Sequence, residues 1–515
     1  MINTADLNIW AALPALSLSL GACVLLLIDA FIPRHRKDIT AWLAAIGVLV
    51  SLVISLFGFS THSTAFKGMF ISDPFTSLVN VITLITTFIS ILLAYDYLRR
   101  TKIERGEYYP LLLLTASGAM FMGAAGDLVV IFVGLELLSI PLYILAGFRR
   151  PDPRSEESAM KYFLLGAFAT GFLVYGIALI YGGTGTTSLQ AIFTQVTASH
   201  VNSPFLLVAG TGLMFVALGF KVAAVPFHMW TPDVYQGAPT PVTAFMSVVA
   251  KVGGFAALLR LVVFAIPALV LTGVKVDPGQ TMVLHAAWQD TITVLAVLTM
   301  ILGNFVAMMQ RDIKRLLAYS SIAHAGYMLM AVAAAGTLQA TADAAGKVTY
   351  SMNFAQDAMQ GIMIYLLAYA FTNIGAFAVA IAVERDDATG TLLDDYAGLG
   401  NKQPWLAGAM TLFLLSLTGI PLTAGFTAKW FVFLPTINSG LSLLALVGVL
   451  TSLISAFYYL RVVVKMWLEP GEADAQTSVP LWGAIALCAA GTLLLGILPG
   501  ILTRLAETVT AVVVK

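Results

Sequence analysis

Apolar runs long enough to cross a bilayer recur along almost the whole chain, and they leave little room for any other fold. A membrane-spanning helix needs about 20 mainly apolar residues at ~1.5 Å rise each. Windows of that size predict fourteen spans, near residues 9–32, 39–60, 74–98, 109–125, 128–148, 159–181, 204–228, 240–271, 288–309, 315–336, 357–383, 403–433, 440–467 and 478–503. The 240–271 stretch reads either as one long tilted helix or as a helix plus a re-entrant piece. Only 10% of the 515 residues are charged and 59% are hydrophobic. A soluble domain carries about 25% charge, so a water-soluble globule is excluded. Disorder is excluded by the same apolar content. The expected fold is an all-α polytopic membrane protein. The first run lacks a positive leader and a cleavage site, so it reads as a retained helix.

The charges in the loops set an orientation. Eighteen of the 27 Lys and Arg lie in or close to the loops that follow odd-numbered spans. The opposite side holds five, Lys67, Lys275, Lys347, Arg504 and Lys515, and the other four, Lys221, Lys251, Arg260 and Lys429, fall deeper inside spans. By the positive-inside rule the loops after odd spans are cytoplasmic and both termini are outside. No soluble domain interrupts the series, and no Gly-x-Gly-x-x-Gly turn, Walker loop or CxxC is present. This chain is therefore expected to bind no cofactor or metal. Its two cysteines, Cys23 and Cys488, lie in apolar runs and make no disulfide framework. The lack of a long basic patch argues against nucleic acid as a partner.

What remains informative is a handful of charges placed where the membrane penalises them. A Lys or Asp at mid-helix costs about 2.5–3.5 kcal/mol on insertion scales, and such residues face a protein interior or a wet path. Glu136 lies inside LVVIFVGLELLSIPLYIL, where a carboxyl can serve as a proton site or simply fix helix contacts. Lys221 lies in MFVALGFKVAAVPFHMW, five residues before Pro226, which bends or breaks a helix. Unwound backbone supplies polar groups and room for water beside such a lysine; the alternative is a lysine that snorkels to the interface. Lys251 sits in its span next to Gly253 and Gly254, which allow a neighbouring helix close. Lys429 follows Gly419, Pro421 and Gly425, which break span twelve. His324, in LLAYSSIAHAGYMLM, can donate, accept and titrate near neutrality, which suits a relay as well as a buried structural hydrogen bond. His228, near the broken end of span seven, reads as a weaker relay candidate or a loop anchor. Arg260 and Asp290, closer to span ends, read as structural.

The order of these features suggests an internal repeat. Spans four to eight and nine to thirteen form two groups of five in opposite orientations, with a broken helix at the fourth position of each. That is the layout of an inverted-topology repeat, in which discontinuous helices mark the transport site. The expected units are a three-helix segment (1–108), a first five-helix repeat (109–271), a second, inverted one (288–467) and a final helix (478–503).

Three stretches carry a family resemblance: KVAAVPFHMWTPDVYQGAPTPV (221–242), LLAYSSIAHAGYM (316–328) and LTGIPLTAGFTAKW (417–430). They resemble the antiporter-like membrane subunits of respiratory complex I, the NADH-quinone oxidoreductase, over about residues 10–503. The length, the first stretch and a lysine at 429 resemble the branch called subunit N, the counterpart of mitochondrial subunit 2. The resemblance implies a proton-translocating subunit of the bacterial inner membrane with no redox centre of its own. FMN, iron–sulfur clusters, NADH and quinone would belong to the rest of the complex. Neighbouring antiporter-like and small membrane subunits, and the lipid bilayer, would be its partners. It further implies that Glu136 pairs with Lys221, that Lys251 and His324 connect the centre, and that Lys429 is the terminal lysine. Two other readings stay open: a subunit of a multisubunit cation/proton antiporter, and a structural scaffold whose buried charges only fix helix contacts.

Overall fold

The computed structural model describes residues 7–59, 62–198, 200–267, 269 and 277–500. Lys275, Arg504, Lys515 and the end of the last expected span lie outside the described residues. The helices, one-turn pieces aside, are α1 (Ile9–Asp29), α2 (Asp38–Phe57), α3 (Pro74–Arg100), α4 (Tyr108–Gly123), α5 (Leu128–Ala146), α6 (Pro153–Thr184) and the short α7 (Leu189–Thr197). There follow α8 (Pro204–Val222), α9 (Thr231–Gly237), α10 (Thr240–Leu259), α11 (Gln289–Met308), α12 (Ile313–Ala335) and α13 (Asn353–Val383). The last four are α14 (Pro404–Thr418), α15 (Ala424–Asn438), α16 (Ser442–Leu468) and α17 (Val479–Ile497). Among the described residues, 12 helices are long and apolar enough to cross a membrane, with α10 counted together with its extension to Ala265. The protein is thus an all-α polytopic membrane protein.

Local sequence explains where several of these helices begin. Aspartates at N-caps accept from the first-turn backbone: Asp73 from Thr76 N on α3, Asp127 from Val129 N on α5, and Asp312 from Arg315 N on α12. Each satisfies one of the orphan donors of a helix start. The stretch expected near 240–271 is α-helical only to Leu259 and continues as a π-helical turn over Arg260–Ala265; residues 268, 270 and 271 lie outside the described set. Arg260 explains how that end is held. Fully buried, it donates to Asp73 Oδ1, Thr76 Oγ1 and the Gly123 carbonyl, each at 2.9 Å, and so ties the start of α3 and the end of α4 to the end of α10.

Small strands decorate the loops. β1 (Ser63–Ala65) pairs antiparallel with β2 (Phe70–Ser72). β3 (Thr281–His285), β4 (Thr337–Ala342) and β5 (Val348–Ser351) form a three-stranded antiparallel sheet, with Thr281 opposite Thr341 and Gln339 opposite Ser351. The sequence reading has plain connections there. Strands this short carry too few residues for a period-two pattern to stand out.

Burial sorts the helices into layers. In α10, α12 and α13 the most apolar window is 94% buried in each case, against 33% in α1 and 28% in α6. Those three form the core, and the outer helices turn much of their apolar surface outward, as lipid or a partner subunit requires. Close approach is built from small residues: a Cβ on Gly176 of α6 would meet the Gly210 carbonyl of α8 at 2.8 Å, and one on Gly210 would meet the Gly176 carbonyl at 2.7 Å.

Candidate functional site: a buried polar line between two broken helices

Helix α8 stops at Val222, where Ala223 takes a left-handed φ of 62°. Its freed backbone groups are re-satisfied locally. Ala224 N returns to the Gly219 carbonyl at 2.8 Å, and Val225 N donates to Thr299 Oγ1 on α11 at 2.9 Å. Trp230 closes the break: its indole donates to the Phe220 carbonyl at 3.0 Å and stacks on Tyr162 at 4.5 Å. α14 stops in the same way at Thr418, followed by Gly419 at φ 95° and Leu422 at φ 69°, before α15 resumes at Ala424.

Lys221 occupies the last turn of α8, the helix end where a cation is favoured. Its ammonium donates to Ser139 Oγ at 2.7 Å and reaches Tyr143 OH at 3.5 Å. The rings of Tyr143, Tyr162 and Phe220 surround it at 5.4–5.6 Å. Glu136 lies on α5 at positions i and i+3 from Ser139, hence on the same face. It accepts from Thr170 Oγ1 at 2.6 Å. No Glu136–Lys221 ion pair forms within 4 Å among the described residues. The polar groups nearest the Lys221 ammonium are the Ser139 and Tyr143 hydroxyls of α5.

Lys251, 2% exposed, sends its ammonium to the Val222 carbonyl at 3.4 Å, the terminal carbonyl of broken α8. Gly254 makes this approach possible, since a Cβ there would stand 2.8 Å from Val222 Cγ1. One turn before Lys251, Ser247 accepts from Asn373 Nδ2 of α13 at 2.6 Å.

His324 is held at both ring nitrogens, Nδ1 by Tyr365 OH at 2.6 Å and Nε2 by Tyr459 OH at 3.2 Å; the second hydroxyl also bonds Ser320. Tyr369 lies against the ring at 5.3 Å. Tyr365, Tyr369 and Asn373 recur every four residues, so they line one face of α13. A cavity of about 10 Å³ touches His324, Thr372 and Ser416, close to the room one water needs.

Lys429 repeats the motif of Lys251 in the second half. Its ammonium donates to the Thr418 carbonyl, the terminal carbonyl of broken α14, and to Ser452 Oγ, both at 2.6 Å. The ring of Tyr327 lies 5.2 Å away, and Asn304 donates to the Tyr327 hydroxyl at 3.1 Å. His228 stands apart. It is half-buried in the first break, beside Pro226, and its Nδ1 has no partner among the described residues.

Two sets of polar residues escaped the sequence reading. The tyrosines of α13 and α16 look ordinary inside apolar runs, because Tyr is a large hydrophobe with one polar tip. Glu384, 2% exposed, reads from sequence as a loop charge, yet it accepts from Tyr97 OH at 2.8 Å and from Thr240 Oγ1, and pairs with Arg149 at 3.3 Å. One signal was available: a carboxylate directly after the C-terminus of α13 opposes the helix dipole and needs partners to stay there. Glu384 and Lys314 reach a vestibule of about 580 Å³ between the 149–154 and 384–391 segments.

Apolar helices interrupted beside buried lysines define an antiporter-like membrane subunit. Residues 125–352 and 343–455 match the family model described as "NADH:quinone oxidoreductase/Mrp antiporter, TM". The chain is 44% identical to NADH-quinone oxidoreductase subunit N of Trichlorobacter lovleyi, over 98% of this chain and 97% of that one. It is 30% identical to a chain in respiratory complex I from Thermus thermophilus with bound aureothin, at a TM-score of 0.76 over 96% of this chain and 99% of that one. A chain of the Mrp complex from Dietzia sp. DQ12-45-1b shares the fold, with 20% identity and a TM-score of 0.81 over 98% of this chain and 97% of that one. The chain belongs to the NADH-quinone oxidoreductase subunit N family. It is therefore a membrane subunit of that oxidoreductase family. Among the described residues no group of three or more His, Cys, Asp or Glu is arranged to hold a metal ion.

Proposed function

We propose that this subunit moves protons across the membrane along the line Glu136, Lys221, Lys251, His324, Lys429, driven by quinone reduction elsewhere in the complex. The observation that carries this reading is the repeated pairing of a buried lysine with the terminal carbonyl of a broken helix, Lys251 with Val222 and Lys429 with Thr418. Such a carbonyl holds an ammonium without a fixed counter-charge, so the proton can leave again. A change of field or conformation at one end moves the Glu136 carboxylate relative to Lys221. An opposite charge within ~4–6 Å is worth roughly 1.4–4 kcal/mol to a titrating group. Moving one charge across the membrane potential takes about 2.3 kcal/mol per 100 mV. The two are comparable, so this displacement can drive that transfer.

In this reading the shorter α4 and the interrupted α14–α15 segment also cross, giving fourteen spans. The two five-helix groups are inverted repeats, and the termini face the periplasm of a bacterial inner membrane. Neighbouring antiporter-like and small membrane subunits cover the outward apolar surface. His228 has no step in this path. The whole complex carrying Lys221→Ala, in proteoliposomes, is expected to keep some quinone reductase activity and lose proton pumping. Normal pumping by that variant sinks the assignment; pumping that requires sodium points instead to cation/proton antiport.

A further inference from the structure

Lys251 and His324 stand on α10 and α12 with no hydrogen bond between them among the described residues, and α13 packs against both of these helices. Asn373 of α13 is fully buried. Its Nδ2 is committed to Ser247, one turn from Lys251, while its Oδ1 is buried and accepts from no described residue. One turn back on α13, the Tyr369 hydroxyl faces Ser321 without forming a well-aligned hydrogen bond, and its ring lies against His324. On the other side, the Lys251 ammonium carries three donors, and its one hydrogen bond to a described residue is the long contact to Val222. Buried acceptors and ammonium donors are rarely left unpaired, and polar gaps of this kind hold ordered water.

We propose that Asn373 is a positioning residue, whose Oδ1 holds a water that carries the proton from Lys251 toward His324. This rests on the proton-path reading above. In the step an N–H bond of Lys251 breaks and an O–H bond forms on the water. An O–H bond of that water breaks in turn, its proton passes through the hydroxyls around the ring, and an N–H bond forms on the His324 imidazole. One proton and one positive charge move, and no electron changes hands. Ser247 orients the amide so that the oxygen, and not the nitrogen, faces the gap.

The test measures protons pumped per electron in the intact complex in proteoliposomes. Asn373→Leu, which keeps the branched outline and removes the acceptor, is expected to lower the protons pumped per electron by the same share as Lys251→Met does. Asn373→Gln is expected to restore much of it, which a purely structural role would not predict. An unchanged ratio in Asn373→Leu, with a reduced one in Lys251→Met, overturns this inference alone. An unchanged ratio in both overturns the proton path itself. If Asn373→Leu does not assemble, Asn373→Val is read in its place by the same criteria.

Discussion

At the scale of single residues, the interior lysines differ in how firmly they are held. Lys429 makes two hydrogen bonds of 2.6 Å, Lys221 one of 2.7 Å and a second at 3.5 Å, and Lys251 one at 3.4 Å. A contact of 3.4 Å lies beyond the usual range of about 2.7–3.2 Å, so Lys251 has the loosest hold on its surroundings. The charged residues were legible because a Lys or Glu inside an apolar run is conspicuous. Their partners were not: nothing in the spacing of Ser139, Tyr143 or Tyr459 says which lysine or histidine they will meet. Outside the spans, Asp233 of α9 shows a simpler electrostatic effect. Burial alone would push its carboxyl up, but hydrogen bonds from Lys161 at 2.6 Å and Arg315 at 2.8 Å outweigh it and hold it below the usual carboxylate value. A carboxylate whose folded value is depressed stabilises the fold above its unfolded value, about pH 4, and that contribution fades as pH falls through the folded one. The purified complex is expected to lose thermal stability below about pH 4. Asp233→Asn should be less stable at neutral pH and show a smaller further loss on acidification. Parallel acid profiles for the two proteins would contradict this.

At the scale of elements, the two interrupted helices matter most. Their positions were readable from Pro226, Gly419, Pro421 and Gly425, since proline and glycine interrupt helices for local steric reasons. The places where the free carbonyls go were not readable, because those depend on which helix lies opposite. Gly419 joins both aspects. At φ 95° an L side chain costs about 1–2 kcal/mol, and an added Cβ would also stand 2.9 Å from Lys429 Cδ. Gly419→Ala is therefore expected to lower the yield of assembled complex modestly and to disturb the Lys429–Thr418 bond, so that pumping falls more than quinone reduction does. Equal pumping and equal yield on native gels and in proteoliposomes would show that the break tolerates a side chain and does not set the Lys429 site. The π-helical turn at Arg260–Ala265 and the loop strands left no comparable mark in the sequence.

At the scale of the whole molecule, the three most buried helices also carry buried polar residues, with Lys251 on α10, His324 on α12 and the Tyr365–Tyr369–Asn373 face on α13. A bundle that is apolar outside and polar along its centre reverses the usual arrangement of soluble proteins, and each interior polar group must find a partner or water. Glu384 joins distant parts of the chain at one end of the core through Tyr97, Arg149 and Thr240. Hydropathy made the membrane fold legible, and family wording led to the right family. Which hydroxyls and carbonyls surround the buried charges becomes visible only when the helices are folded together, since these partners are spread from Ser139 to Ser452. The decisive measurement is a map of the intact, active complex at a resolution that shows waters. Ordered waters and side chains are expected to form an unbroken hydrogen-bonded chain from Glu136 through Lys221, Lys251, Asn373 and His324 to Lys429. A dry, apolar gap anywhere between those residues in every state of the working enzyme would contradict the proton path and leave the buried charges as a scaffold.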